Sequence, residues 1–219
     1  MSTSWQGRKE PTAGELLLVN WVLVLLRGIP VAIVVFGGLI LHTVLRIFEY
    51  PFLGSRRPLT QYVTQVVCKT SLFLLGISIT VEGFPMKERG AVVANHSSWL
   101  DIFALNATQK IYFVAKSEVA NWPGIGWLAR ATGTVFIQRN ALQAYKQKNI
   151  FTERLLAGHK LLFFPEGTST DSLRVLPFKS SLFAAFFEAN VPRNLFIQPV
   201  TVVYHCLLYT SPSPRDSMT

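Results

Sequence analysis

The 219-residue chain is 50% hydrophobic and only 15% charged, with a formal net charge of +9, which is apolar for a soluble protein and calls for an anionic partner. With this apolar content, lipid rather than nucleic acid fits that partner. Its two cysteines, Cys68 and Cys206, exclude a disulfide framework and a cysteine metal site, and they suit a reducing compartment.

From Leu16 to Leu45 the residues are almost all apolar, interrupted by Asn20, Arg27, Gly28, Pro30 and His42. A bilayer needs roughly 20 apolar residues, so the run is long enough to cross one. It is too long for the apolar part of a signal peptide. Arg27 would nevertheless lie near mid-membrane, at a cost, and Pro30 would kink the helix. A tilted or re-entrant helix in one leaflet therefore competes with a full span, and a buried core helix is the plainest alternative. Arg46, Arg56 and Arg57 follow the run while Arg8 and Lys9 precede it, a bias that puts the rest of the chain in the cytoplasm. Leu59–Thr80 reads as a second helix, with Val63, Val66, Val67, Leu74 and Leu75 at helical spacing among Gln61, Thr64, Gln65 and Lys69. It suits the membrane surface or the flank of the first helix. Residues 1–80 are thus expected to form an anchor of two helices, and 81–205 a globular domain.

Within that domain short apolar runs alternate with helical stretches. Strands are expected at Ala91–Ala94, Ile111–Ala115, Val135–Ile137, Leu161–Phe164 and within Leu195–Tyr204. Helices are expected at Trp99–Ala107, Ala141–Ala157 and Ser180–Ala189. This alternation predicts an α/β fold, a mixed sheet covered by helices on both faces. After His205 the order Cys206-Leu207-Leu208-Tyr209-Thr210-Ser211-Pro212-Ser213-Pro214-Arg215-Asp216 matches the translation of a transposase-type sequencing adapter. Residues 206–219 are accordingly read as a non-native tail, with the domain cut short near His205.

Four places carry chemistry. Asn95-His96-Ser97-Ser98-Trp99-Leu100-Asp101 directly follows a strand. A histidine can take a proton at neutral pH, and a carboxylate can fix its tautomer. Residues five apart lie about 140° apart on a regular helix. The pair can therefore meet only if His96 sits in the turn and Asp101 in the first helical turn. Ser98 and Asp101 also have the spacing of a helix capping box, which needs no catalysis. Phe164-Pro165-Glu166-Gly167-Thr168 ends another strand, where ligands gather in open α/β sheets; an ordinary turn is the alternative. Arg139 closes the strand from Gly133 and suits an anionic head group, unless it is simply solvated. Pro199, in Gln198-Pro199-Val200-Thr201, argues for an edge or strand-start position.

Taken in order, these blocks resemble the glycerolipid (PlsC-like) acyltransferase family. His96 and Asp101 match its histidine–four residues–aspartate motif. Gly133, Phe136, Ile137 and Arg139 match its second block, Phe164 to Thr168 its third and Pro199 its fourth, while Lys116, Pro123 and Gly126 fit the stretch between the first two. The resemblance covers Gly83 to Tyr204. It implies His96 as general base oriented by Asp101, and substrate binding by Arg139, Glu166, Gly167, Thr168 and Lys116. It further implies an acyl-CoA or acyl-carrier-protein donor, a lysolipid acceptor among membrane lipids, neither metal nor cofactor, and the cytoplasmic face of a bacterial inner membrane. Members commonly carry arginine after the Glu-Gly-Thr unit, where this chain has Ser169. The expected acceptor is 1-acylglycerol-3-phosphate, and the phrase around Ser169 and Asp171 brings in lyso-ornithine lipid as the alternative. Backbone amides near Gly167 are candidate donors to the oxyanion. A non-catalytic membrane lipid-binding protein is the competing reading, which the intact His96 and Asp101 oppose. A metal hydrolase would need more ligands than His42, His96, His159 and His205 supply.

Overall fold

A computed structural model describes residues 18–137, 144–171, 175–180, 183 and 195–205. The expected helix at Ser180–Ala189, most of whose residues are excluded, and the tail from Cys206 fall outside these residues, as does Arg139.

The apolar N-terminal run forms one helix, α1 (Leu18–Leu53), continuous through Pro30 and Pro51, and about 54 Å long at 1.5 Å per residue. Between Trp21 and Leu53 only 6% of its most apolar stretch is buried, at a mean hydropathy of 2.4. A tight link leads into α2 (Pro58–Leu75), which ends at Gly76 in the left-handed conformation (φ 76°). The two helices run antiparallel, and close approach requires Gly38, whose missing Cβ would collide with Val67. The charges that interrupt α1 have a use here. Arg27 donates to the Leu75 carbonyl at 3.2 Å, at the negative end of α2. Glu49 accepts from the Leu59 amide at 2.8 Å and from the Thr60 hydroxyl at 2.8 Å, at the positive end. No local side chain caps α2, so α1 completes both of its ends with charges of the sign the helix dipole favours. That offsets much of the cost of placing Arg27 and Glu49 in an apolar hairpin.

The remaining elements are β1 (Gly90–Ala94), α3 (Leu100–Thr108), β2 (Tyr112–Lys116), a 3-10 turn (Ser117–Asn121), α4 (Ile125–Thr132), β3 (Val135–Ile137), α5 (Ala144–Leu156), β4 (Lys160–Phe163) and β5 (Phe196–Val200). The 3-10 turn and α4 are additions to the expected elements. Gly126 admits them, because a Cβ there would strike the Ala120 carbonyl. The strands lie in the order β3-β2-β4-β1-β5, and every pairing among the described residues is parallel, so the described sheet is parallel rather than mixed. Among these strands β5 is at an edge, which accommodates Pro199 and its missing donor.

Alternation within the strands gives the sheet two apolar faces. Ala91, Tyr112, Val114, Val135, Leu161 and Phe163 meet Phe151 and Leu155 of α5 on one face. On the other, Val92, Ala94 and Leu162 meet Leu105 of α3. Full burial of a side chain such as Leu161 or Leu162, both 0% exposed, stabilises the fold by about 1.5–3 kcal/mol. The hairpin joins this body across the expected boundary at 81, because Cys68 and Leu72 of α2 pack with Ala107 of α3 and with Ile77, Leu100 and Phe103.

Candidate active site

Because the paired strands are parallel, their carboxyl ends fall on one edge of the sheet. That edge receives the His96 turn after β1, Lys116 at the end of β2 and the Glu166 loop after β4. Ile137 pairs with Lys116 there, and Arg139, two positions on in the sequence, is outside the described residues. Lys116 is exposed there.

His96 lies in the turn and Asp101 in the first turn of α3, the arrangement their spacing requires. His96 Nδ1 and Asp101 Oδ2 are 2.7 Å apart. The same Oδ2 accepts the backbone amides of Ser97 at 2.7 Å and Ser98 at 3.0 Å. Half of the capping box therefore exists, and the cap and the dyad are one carboxylate. Asp101 is 0% exposed. Burial alone would raise its pKa, but hydrogen bonds from His96, Tyr204 and the Ser98 and Ser97 amides outweigh this and hold it below the ordinary carboxylate value. It is thus the anion that orients the imidazole through Nδ1, and Nε2 is left as the atom able to take a proton.

The third block serves the histidine as well. Phe164 stacks on the His96 ring with centroids 4.1 Å apart and planes 11° apart. Thr170 donates its amide to the His96 carbonyl at 2.8 Å. Ring and backbone of His96 are therefore both held by the loop that follows β4. Within that loop Glu166 is 5% exposed, and its Oε2 accepts the Leu176 amide at 3.0 Å, which fixes the returning chain. Gly167 adopts φ 70°, and its amide donates to the Phe164 carbonyl at 3.0 Å. That donor is consequently spent inside the turn and is withdrawn as an oxyanion ligand. Thr168 is half-buried beside it.

Two contributors escaped the sequence reading. Asn95 ties the end of β5 to the dyad turn: its Oδ1 accepts the Val202 amide at 2.7 Å and its Nδ2 donates to the Val202 carbonyl at 2.9 Å. Tyr204, two residues on, donates its hydroxyl to Asp101 Oδ1 at 2.6 Å. Asn95 adjoins the motif and was available to a closer reading. Tyr204 lies 103 positions from its partner, and only the rule that ligand groups collect at strand carboxyl ends points to it.

No group of three His, Cys, Asp or Glu side chains able to hold a metal occurs among the described residues. Cys68 is buried between α2 and α3, where desolvation pushes its thiol up to about 12, unsuited to nucleophilic attack. A cleft lined by Gln61, Met86, Lys110, His159 and Lys160 opens at the amino ends of the strands, away from the dyad.

Residues 78–203 match the family model described as Acyltransferase. The chain is 50% identical over 212 residues to a lyso-ornithine lipid O-acyltransferase of Rhodobacter capsulatus, covering 97% of this chain and 75% of that protein. To the enzyme of that name from Rhizobium meliloti it is 36% identical over 193 residues, 85% of this chain and 63% of the relative. A 1-acyl-sn-glycerol-3-phosphate acyltransferase of Neisseria gonorrhoeae is 40% identical over 126 residues, 56% of this chain and 49% of the relative. The chain therefore spans from about half to three quarters of the length of these relatives. In fold it is similar to the crystal structure of the 1-acyl-sn-glycerophosphate acyltransferase PlsC of Thermotoga maritima, with a TM-score of 0.57 at 22% identity over 83% of this chain and 73% of that one. With its motif blocks in order, its strand edge assembled around His96 and Asp101, and more than half its length matched, the chain belongs to the acyltransferase family.

Proposed function

We propose that this protein transfers a fatty acyl group from a thioester donor, acyl-CoA or acyl-carrier protein, to the hydroxyl of a lysolipid. The observation that carries the reading is the buried Asp101 held on His96 Nδ1, which leaves Nε2 as base. Nε2 takes the hydroxyl proton as the acceptor oxygen bonds to the thioester carbonyl carbon. The tetrahedral intermediate then collapses: the carbon–sulfur bond breaks, the thiolate takes the proton from the imidazolium, and an ester is left. A thiolate leaves readily, so His96 is the only proton carrier the sequence of steps needs.

The sequence made 1-acylglycerol-3-phosphate the expected acceptor and lyso-ornithine lipid the alternative; we place lyso-ornithine lipid first. In support, the relative with 97% coverage of this chain bears that name, and Ser169 stands where arginine is common in enzymes with a phosphate-bearing acceptor. Arg139 and Lys116 would then meet the acceptor head group. The hairpin of α1 and α2 would hold the site at the membrane. Trp21, Leu25, Ile33, Ile40 and Phe48 of α1 and Tyr62, Val66 and Phe73 of α2 are exposed, while α2 lies against α3 and Arg57, at the hairpin link, donates to the Ala131 carbonyl of α4. Contacts with the domain near both ends of α2 favour a hairpin seated in one leaflet over a full span, on the cytoplasmic face by the charge bias. Incubating the membrane-bound protein with labelled acyl donor and a panel of lysolipids tests this. Lyso-ornithine lipid should be acylated in preference to lysophosphatidate, and no transfer to any lysolipid would defeat the proposal.

A further inference from the structure

Backbone pairing between β1 and β5 ends at Ala94 and Val200. Beyond it the Asn95 carboxamide takes over, gripping both backbone groups of Val202. In an extended chain residues two apart point the same way, and Tyr204 is carried from Val202 to the buried carboxylate. Its hydroxyl lies 2.6 Å from Asp101 Oδ1, while Oδ2 is shared among His96 Nδ1 and the Ser97 and Ser98 amides. The residue as a whole is 42% exposed, so the hydroxyl is turned inward from a ring that remains near the surface.

We propose that Tyr204 is a positioning residue of the dyad, occupying Asp101 Oδ1 so that the carboxylate cannot rotate and Oδ2 stays on His96 Nδ1. The inference rests on the reading of His96 as base. Without this hydroxyl a buried carboxylate would keep one oxygen unsatisfied and turn to share its other partners, and the imidazole would lose its fixed tautomer. The two titratable groups facing Asp101 are His96, from its own turn, and Tyr204, from the end of β5. Burial, together with the Asp101 charge, drives the Tyr204 phenol well above its ordinary value, so it remains the donor. A hydrogen bond donated to the carboxylate also makes it a weaker partner for an imidazolium, so its removal strengthens that pairing.

The test is Tyr204→Phe in the membrane-bound chain, with His96→Ala and Asp101→Asn alongside. In Tyr204→Phe kcat should fall about tenfold with KM for both substrates little changed, and the acid limb of the pH–rate profile should move to higher pH. Placed on Asp101→Asn, the same change should add nothing, because nothing remains to be oriented. Incorporating 3,5-difluorotyrosine at position 204, nearly isosteric and a stronger donor, should move the acid limb to lower pH and keeps the test open if Tyr204→Phe folds poorly. An unshifted acid limb in both replacements, or an equal loss from Tyr204→Phe with and without Asp101→Asn, would overturn the proposal. Full turnover in His96→Ala would instead overturn the base assignment on which it rests.

Discussion

Glu49 and Asp101 are both buried carboxylates, 4% and 0% exposed, and both accept from backbone amides at the start of a helix, one for Glu49 and two for Asp101. Glu49 spends its oxygens on the Leu59 amide and the Thr60 hydroxyl, with Arg46 at 3.6 Å. The Leu59 and Thr60 contacts hold α2 against α1, and Arg46 is a neighbour within α1 itself. Asp101 differs in one partner: His96 passes the interaction on through a ring whose second nitrogen is unspent. On the proposed reading, a buried, satisfied carboxylate is thus a structural device in one region and part of a chemical one in the other. What separates them is whether a titratable partner carries the charge to an edge where substrate can reach it.

The comparison can be broken most directly at His96. His96→Ala should lower acyl transfer by at least about a thousandfold while circular dichroism and membrane association stay as in the parent chain; near-normal turnover would remove the chemical half of the contrast. Asp101→Asn is expected to cut turnover by roughly 100- to 10,000-fold through loss of the correct tautomer. It should also cost about 1–3 kcal/mol, because its single amide oxygen cannot accept from His96, the Ser97 and Ser98 amides and the Tyr204 hydroxyl together; thermal unfolding in detergent measures this. Glu49→Gln, by contrast, should cost a similar 1–3 kcal/mol with kcat per folded molecule unchanged. A large fall in kcat there would show that the hairpin takes part in chemistry.

Acid titration sharpens the contrast at its finest scale. The folded value of Asp101 lies below its ordinary 3.8, so the ionised group contributes stability that is fully present above that ordinary value. The contribution is lost as pH falls through the folded value. Stability followed by unfolding between neutral and strongly acid pH should therefore decline less on the acid side in Asp101→Asn than in the parent chain. Parallel curves for the two would remove Asp101 from the groups responsible.

Local composition was sufficient to establish several features. Apolar runs bounded by polar turns marked the first four strands within a residue or two, since a strand covered on both faces has to be apolar throughout; the mostly exposed β5 was placed only within Leu195–Tyr204. The five-residue interval between His96 and Asp101 dictated a turn followed by a helix, because no regular helix brings such positions together. The length of the α1 run announced lipid. Four features depended on tertiary structure: that every described pairing is parallel, which puts the motif residues on one edge; that Arg27 and Glu49, apparent flaws in an apolar helix, complete the ends of α2; that the Gly167 amide is consumed within its own turn; and that Tyr204 reaches Asp101. All but the Gly167 contact, which closes on a residue three positions away, join groups whose partners are set by strand order and helix docking. Such contacts have no sequence period, and their donors and acceptors become neighbours only after the chain has closed on itself.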